Sequence, residues 1–276
     1  MITGLRYVNS KGDAFDFDAA GVHPVPDTVW DWEASVLELN GETAAYTRSA
    51  RTVSVPVTLT FQAPPYQAMD ALYDVAAYDL ANDATGQLVM GDWSMPAALV
   101  KSEKARWWRS EGPVALTLSF RSPRPFWTRE AKQSFFPVAE AGSALDYPHD
   151  FPFDYGGQGQ AGFVSNASPY PADFVLTIYG PATNPYVIIG GNRYEASVDV
   201  PSGGLLVIDS EAGTVTLSDS HGAQTNAFGD TPDSGRGSGD YIFEPIPSGD
   251  QQVSWDGTFG FDLAVKVRRD ERVWIA

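Results

Sequence analysis

Three stretches of strict alternation constrain this chain more than anything else in it. In residues 53–62, Val53, Val55, Val57, Leu59 and Phe61 fall on one face, and Ser54, Pro56, Thr58, Thr60 and Gln62 on the other. Residues 114–121 repeat the pattern with Val114, Leu116, Leu118 and Phe120. Residues 258–267 repeat it with Phe259, Phe261, Leu263, Val265 and Val267. A period of two puts one set of side chains in a core and the other in solvent, which marks a half-buried strand rather than a helix. Pro56 lacks a backbone donor, so the first strand is expected to have an edge or a bulge there.

Other short apolar runs are bounded by turn residues. Residues 2–18 predict a hairpin around Lys11-Gly12-Asp13. Residues 30–39 predict a strand closed by Asn40-Gly41, and 87–91 and 95–106 two more. In the second half, strands are expected near 174–178, 186–190, 193–199, 204–209, 213–218, 241–245 and 251–255. The 26 glycines and 20 prolines are spread along the chain, as many short strands joined by turns require. One segment has helical spacing. After Pro64-Pro65, residues 66–83 carry Met69, Leu72, Tyr73, Ala76 and Leu80 in one apolar stripe. Asp70, Asp74, Asp79 and Asp83 fall off that stripe and read as a solvated acidic face.

The expected fold class is mainly β, with two β domains. Residues 1–130 form a β-barrel or sandwich with one helix near 66–83. Residues 162–276 form a β-sandwich. Residues 131–161 form an extended tether, because Pro148 and Pro152 disfavour helical backbone before them. Tyr147, Phe151, Phe153 and Tyr155 make that tether too aromatic for a floppy linker. Residues 229–240, rich in glycine and serine, read as a mobile loop. Arg106-Trp107-Trp108-Arg109 reads as a hairpin tip or an arm packing on a neighbour.

The formal net charge is −17. Residues 1–130 hold 11 basic against 16 acidic side chains, and the remainder 7 against 19, so the second half is the more acidic. Such a chain does not attract phosphate backbones in general. With no cysteine there is no disulfide and no thiolate metal site, which fits a reducing cytosol. The N-terminal residues lack a basic region followed by an apolar run, so no secretory signal is expected. No apolar stretch approaches the ~20 residues of a membrane span, so no membrane partner is expected.

No catalytic, cofactor or metal site is expected. His23, His149 and His221 are far apart in sequence, and zinc needs converging ligands. Asp146, Asp150 and Asp154 fan out along an extended segment, whereas calcium needs oxygens around one point. Gly237-Ser238-Gly239 lacks the strand–turn–helix setting of a nucleophile elbow. Asn166-Ala167-Ser168 matches a glycosylation acceptor, idle without secretion.

The order of pieces in the second half is specific. The run Asp150-Phe151-Pro152-Phe153-Asp154-Tyr155 is followed by Val164-Ser165-Asn166 and Pro171-Ala172-Asp173-Phe174. Residues 178–185, Ile-Tyr-Gly-Pro-Ala-Thr-Asn-Pro, come next, then Leu206-Val207-Ile208-Asp209-Ser210, residues 240–249, and 268–274. This collinear series resembles the distal tail proteins of siphophages, the family also described as siphovirus tail component or phage tail protein. The resemblance covers residues 145–276, and the first half by general shape. His149, where a tyrosine is expected, and the long 229–240 loop depart from the pattern.

The resemblance implies a structural, non-enzymatic subunit without cofactors. The N-terminal domain would close a hexameric ring with copies of itself, and the C-terminal domain would be a galectin-like sandwich projecting outward. The ring would join the tail tube protein to the tail-associated hub protein, and in some members it carries a receptor-binding protein. The protein would reside in the virion at the tail tip, after assembly in the host bacterial cytoplasm. DNA would pass through the ring without specific binding, repelled by any acidic side chains lining the channel. The alternative is a carbohydrate-binding β-sandwich adhesion module, whose partner would be a host surface glycan. Aromatics on a sandwich face stack on sugars, although buried aromatics give the same composition.

Overall fold

The alternating stretches form strands over residues 53–59, 114–121 and 261–267; residues 258–260 precede the last strand, and 60–62 lie outside the described residues. The computed structural model describes residues 4–24, 29–40, 42–47, 51–59, 65–106, 114–137 and 160–271. In chain order the elements are β1 (Leu5–Val8), β2 (Ala14–Asp16), β3 (Val22–Pro24), β4 (Ser35–Leu39), β5 (Glu42–Thr47), β6 (Arg51–Leu59), helix α1 (Pro65–Ala81), β7 (Gly86–Met90), β8 (Trp93–Arg106), β9 (Val114–Ser122) and β10 (Trp127–Phe135). There follow β11 (Gln160–Asn166), β12 (Phe174–Tyr179), β13 (Ala182–Thr183), β14 (Tyr186–Ile189), β15 (Asn192–Glu195), β16 (Asp199–Val200), β17 (Leu205–Asp209), β18 (Thr214–Ser218), β19 (Gln224–Asn226), β20 (Gly249–Trp255) and β21 (Phe261–Arg269). The chain divides after Arg129 into two compact units, with the residues from Arg269 onward grouping with the first. No helix among the described residues is long and apolar enough to cross a membrane.

In unit 1, the long strand β8 serves two sheets. Its first half pairs with β7 in the order β2-β1-β7-β8. Its second half pairs with β9, which continues to β6 and β3. The change of partner coincides with a register shift between Leu99 and Lys101, and such a bulge lets one strand turn from one sheet to another. Rings from the two sheets meet in the core: Tyr7 of β1 lies 5.3 Å from Phe120 of β9. Val53, Val55 and Val57 point inward from β6, and Val114, Leu116, Leu118 and Phe120 from β9. Among the described residues no sheet closes on itself, so the barrel half of the expected barrel-or-sandwich is discarded. Pro56 pairs with Thr117 of β9. Among the described residues the β3 ladder covers residues 57–59 of β6 and leaves Pro56 with no partner on that side, where its missing donor goes unused. Strands β4 and β5 form a hairpin of their own, and every residue of β4 is exposed.

Unit 2 is a sandwich of two antiparallel sheets, β19-β18-β17-β12-β21-β10 and β11-β20-β14-β15. Leu176, Ile178, Ile208, Leu263 and Val265 face inward from the first sheet, and Val187, Ile189 and Val253 from the second. Phe174 meets Tyr194 edge-on at 4.9 Å, and Trp255 meets Phe261 at 5.1 Å, so aromatic rings join the two layers.

Several expectations are corrected. Residues 131–135, assigned to the tether, continue strand β10. Only its two ends, Trp127 and Phe135, are buried, so no alternation announces it. Strand β19 is exposed at all three positions and carries no apolar signal. Residues 241–245 are not a strand: Glu244 N donates to Tyr241 O at 3.1 Å in a turn. The 229–240 segment is tied down rather than loose. Ser197 N donates to Asp230 O and Arg193 N to Gly239 O, each at 2.8 Å, and Gly237 N donates to Glu244 Oε2 at 2.9 Å. Gly237 and Gly239 have φ of 79° and 94°, so these glycines supply left-handed turns rather than freedom. Most of the expected tether, residues 138–159, lies outside the described residues.

Candidate functional site

The helix α1 shows where unit 1 leaves apolar surface uncovered. It buries Leu72, Ala76 and Asp79, with Ala68, Met69, Val75 and Ala77 half-buried. Asp79 was assigned to the solvated face and is instead fully buried. Its Oδ2 accepts from the Tyr7 hydroxyl at 2.5 Å, and its Oδ1 from Ser10 N at 2.8 Å. Asn9 Nδ2 donates to Val75 O at 3.1 Å, adding a second clamp between the β1 end and the helix. Burial pushes the Tyr7 hydroxyl well above the usual phenol range, and Asp79 pushes it further the same way. The phenol therefore stays a donor.

This clamp turns the helix away from the stripe read in the sequence. Tyr73 and Leu80, counted there as core, are 70% and 55% exposed. With Tyr66 they repeat every seven residues, so they line one shoulder of the helix. The β4–β5 hairpin exposes Val36, Leu37, Leu39 and Tyr46. Exposed apolar groups gathered in this way mark contact surfaces more often than isolated ones do.

The residues weighed for chemistry do not converge. His23 lies exposed on β3 in unit 1, opposite Thr58 of β6. His221 lies in an exposed turn of unit 2, its Nδ1 3.3 Å from Ser220 Oγ. His149, Asp146, Asp150 and Asp154 lie outside the described residues, as do Trp107, Trp108 and Arg109. Among the described residues no group of three or more His, Asp or Glu side chains is arranged to hold a metal ion. Ser238 sits in a turn that no helix follows, its Oγ accepting from Asp240 N at 3.4 Å.

Two polar clusters in unit 2 are structural. Asn166, read as a glycosylation acceptor, is fully buried. Its Nδ2 faces the carbonyls of Tyr170, Ile246 and Pro247 at 2.9, 3.0 and 3.2 Å. Its Oδ1 accepts from Ser168 N at 3.0 Å. On β21, Asp262 accepts from Tyr179 Oη at 2.6 Å and pairs with Lys132 Nζ at 2.8 Å. Lys132 first, then Ser134 and Tyr179, hold its carboxyl down at about 2. Neither cluster was legible in the sequence, since the partners come from distant strands.

The sequence matches no family model and no curated protein. Solved structures share its fold. The Dit protein of phage SPP1, a paradigm of the hub adsorption apparatus in phages infecting Gram-positive bacteria, superposes with a TM-score of 0.57 at 7% identity, over 96% of this chain and 94% of that one. A chain of the phage P2 baseplate in its Ca-activated conformation superposes with a TM-score of 0.56 at 11% identity, over 97% and 99%. The Sr-activated baseplate gives the same values. The chain, mainly β with one α-helix among its described residues, therefore shares the fold of these hub and baseplate proteins over 96% and 97% of its length.

Proposed function

We propose that this chain is a structural subunit of a siphophage tail tip, a distal tail protein. One observation carries the reading: the likeness covers 96% and 97% of this chain and 94% and 99% of the two phage proteins. Both units are matched at once, in order. A free-standing adhesion module needs only a sandwich such as unit 2.

In this reading residues 1–130 close a hexameric ring, residues 162–276 form a galectin-like sandwich facing outward, and the segment between them is the tether. The ring joins the tail tube protein to the tail-associated hub protein and gives a seat to receptor-binding parts. The exposed shoulder of α1 and the β4–β5 hairpin supply apolar surface that ring neighbours would cover. The mechanism is assembly, with no bond chemistry. DNA crosses the channel, and a net charge of −17 keeps phosphates from adhering. The protein belongs to the tail tip of the virion and assembles in the host cytoplasm.

Native mass spectrometry and negative-stain microscopy of the full chain test this. A hexameric ring with a central hole is the expected outcome. A compact monomer at every concentration up to about 100 μM, far above the Kd of a stable assembly, would turn the assignment toward the adhesion module.

A further inference from the structure

We infer that unit 2 carries a groove for neutral saccharides at its β18–β19 edge, beside Phe228. The groove has a volume of about 380 Å³, and no residue lining it is charged. That is notable in a chain with 35 acidic and 18 basic side chains. The register Thr216↔Asn226 and Ser218↔Gln224 places Thr214, Thr216, Gln224 and Asn226 on one face of the hairpin. These side chains are hydroxyls and amides, each able to donate and accept. One of their groups is engaged within the protein: Asn226 Oδ1 accepts from Phe228 N at 2.9 Å. The Asn226 amide nitrogen is left as a donor toward a ligand.

Phe228 is 48% exposed yet firmly held. Its ring stacks on Phe243 at 5.6 Å with planes 2° apart, and Tyr241 backs Phe243 edge-on at 5.9 Å. Its backbone is fixed on both sides. Ala227 N donates to Val215 O at 2.9 Å, and Thr231 Oγ1 donates to Phe228 O at 2.8 Å. A rigid ring loses little conformational freedom on binding.

An exposed flat ring beside neutral hydroxyls and amides suits a ligand with an apolar C–H face and many hydroxyls. That is the chemistry of a neutral sugar. An anionic ligand would find no cation in the groove. A peptide adding to the β19 edge would use backbone groups and would not need Phe228 or the Gln224 amide. The inference does not depend on ring assembly, because every residue in it belongs to unit 2.

The test uses the full-length protein and a panel of hexoses, N-acetylhexosamines, deoxyhexoses and their short oligomers. Saturation-transfer NMR reports which ring protons touch the protein, and titration gives Kd, expected near 1 mM for a single sugar unit. Gln224→Ala and Thr216→Val each weaken binding about tenfold with unchanged melting, because each removes one ligand hydrogen bond. Phe228→Ala abolishes binding and Phe228→Trp retains it. Phe228→Ala could also disturb Phe243, so the Gln224 and Thr216 variants decide the matter. No binding from the whole panel at about 20 mM would overturn the inference. So would sugar binding that ignores Gln224 and Thr216. Capture of an extended peptide that survives Phe228→Ala would reassign the edge to strand addition.

Discussion

Tyr7 of β1 donates its hydroxyl proton to Oδ2 of Asp79 on α1, at 2.5 Å and 72 residues away in sequence. Both residues are fully buried. A carboxylate in that position needs donors on both oxygens, and Ser10 N supplies the second. The pair sets the rotation of the helix on the sheet, and hence which apolar side chains unit 1 leaves outside. Asp79→Ala strands the buried Tyr7 hydroxyl and leaves the part-buried Ser10 N–H to water, and is expected to destabilise by about 2 kcal/mol. Tyr7→Phe, which removes one donor, is expected to lose about half of that. Urea unfolding of both single variants and the double variant measures the coupling. An Asp79→Ala protein as stable as the parent would refute the clamp.

Gly86 begins β7 directly over this bond. A Cβ there would lie 2.5 Å from Asp79 Oδ2 and from Val8 O, and 2.8 Å from the Tyr7 hydroxyl. Two of these neighbours are clamped, so relaxation is limited. Gly86→Ala is expected to lose about 2–3 kcal/mol. Gly229→Ala meets nothing within 4 Å and serves as the control, expected within about 0.5 kcal/mol of the parent. Equal effects of the two substitutions in denaturant titrations would mean that the space over Asp79 is not tight.

The strands that sequence alone revealed are those buried on one face only. Val53 to Val57 and Val114 to Phe120 show period two because one side meets the core and the other meets water. Strand β10 hid because only Trp127 and Phe135 are buried, leaving charged residues between them. The helix was legible as a helix, but its apolar arc is wider than the face it buries. Counting Tyr73 and Leu80 as core turned the reading away from Asp79. Hydropathy cannot announce a buried carboxylate whose partners sit 69 and 72 residues away. Glycine content misled at 229–240 for a different reason, since positive φ and flexibility draw on the same residue. Among candidate surfaces, the helix shoulder was hidden by that misassigned rotation. The Phe228 groove joins β18, which was read as a strand, to β19 and a short 3-10 turn, and neither of these two buries a residue.

Tyr73 and Leu80 separate assembly from folding. Tyr73→Glu combined with Leu80→Glu changes only exposed positions, so the melting temperature is expected to stay within about 2 °C of the parent. If α1 faces a ring neighbour, the same variant remains monomeric in native mass spectra, because a charge buried at an interface without a partner is strongly disfavoured. Leu72→Glu, at a buried position, is expected to unfold unit 1. Rings of normal size from the double variant would move the subunit contact elsewhere.

Asn166 predicts stability rather than modification. Its amide bridges carbonyls from two segments while its oxygen caps Ser168. Asn166→Ala is expected to destabilise by about 2–4 kcal/mol, since several buried groups lose their partner at once. The variant would be compared with the parent by thermal melting. A shift under about 2 °C would show that water replaces the amide without loss.

The Asp262 cluster gives a pH dependence with a definite sign. Lys132, Ser134 and Tyr179 hold the folded carboxyl at about 2, below its ordinary 3.8. A group whose pKa is lower in the folded state stabilises the fold above the unfolded value. That contribution is lost as pH falls through the folded one. It should therefore be complete above about pH 5 and vanish between about pH 4 and pH 2. Other carboxylates titrate in the same range, so the informative quantity is the difference between the parent and Asp262→Asn. Lys132 is 62% exposed, so solvent screens much of that ion pair. At neutral pH the variant is expected to be less stable by about 1–2 kcal/mol, with the gap closing toward pH 2. Guanidinium midpoints measured from neutral pH down to about pH 2.5 give the curve. A gap that stays constant across that range would mean that the ionised form of Asp262 contributes nothing of its own.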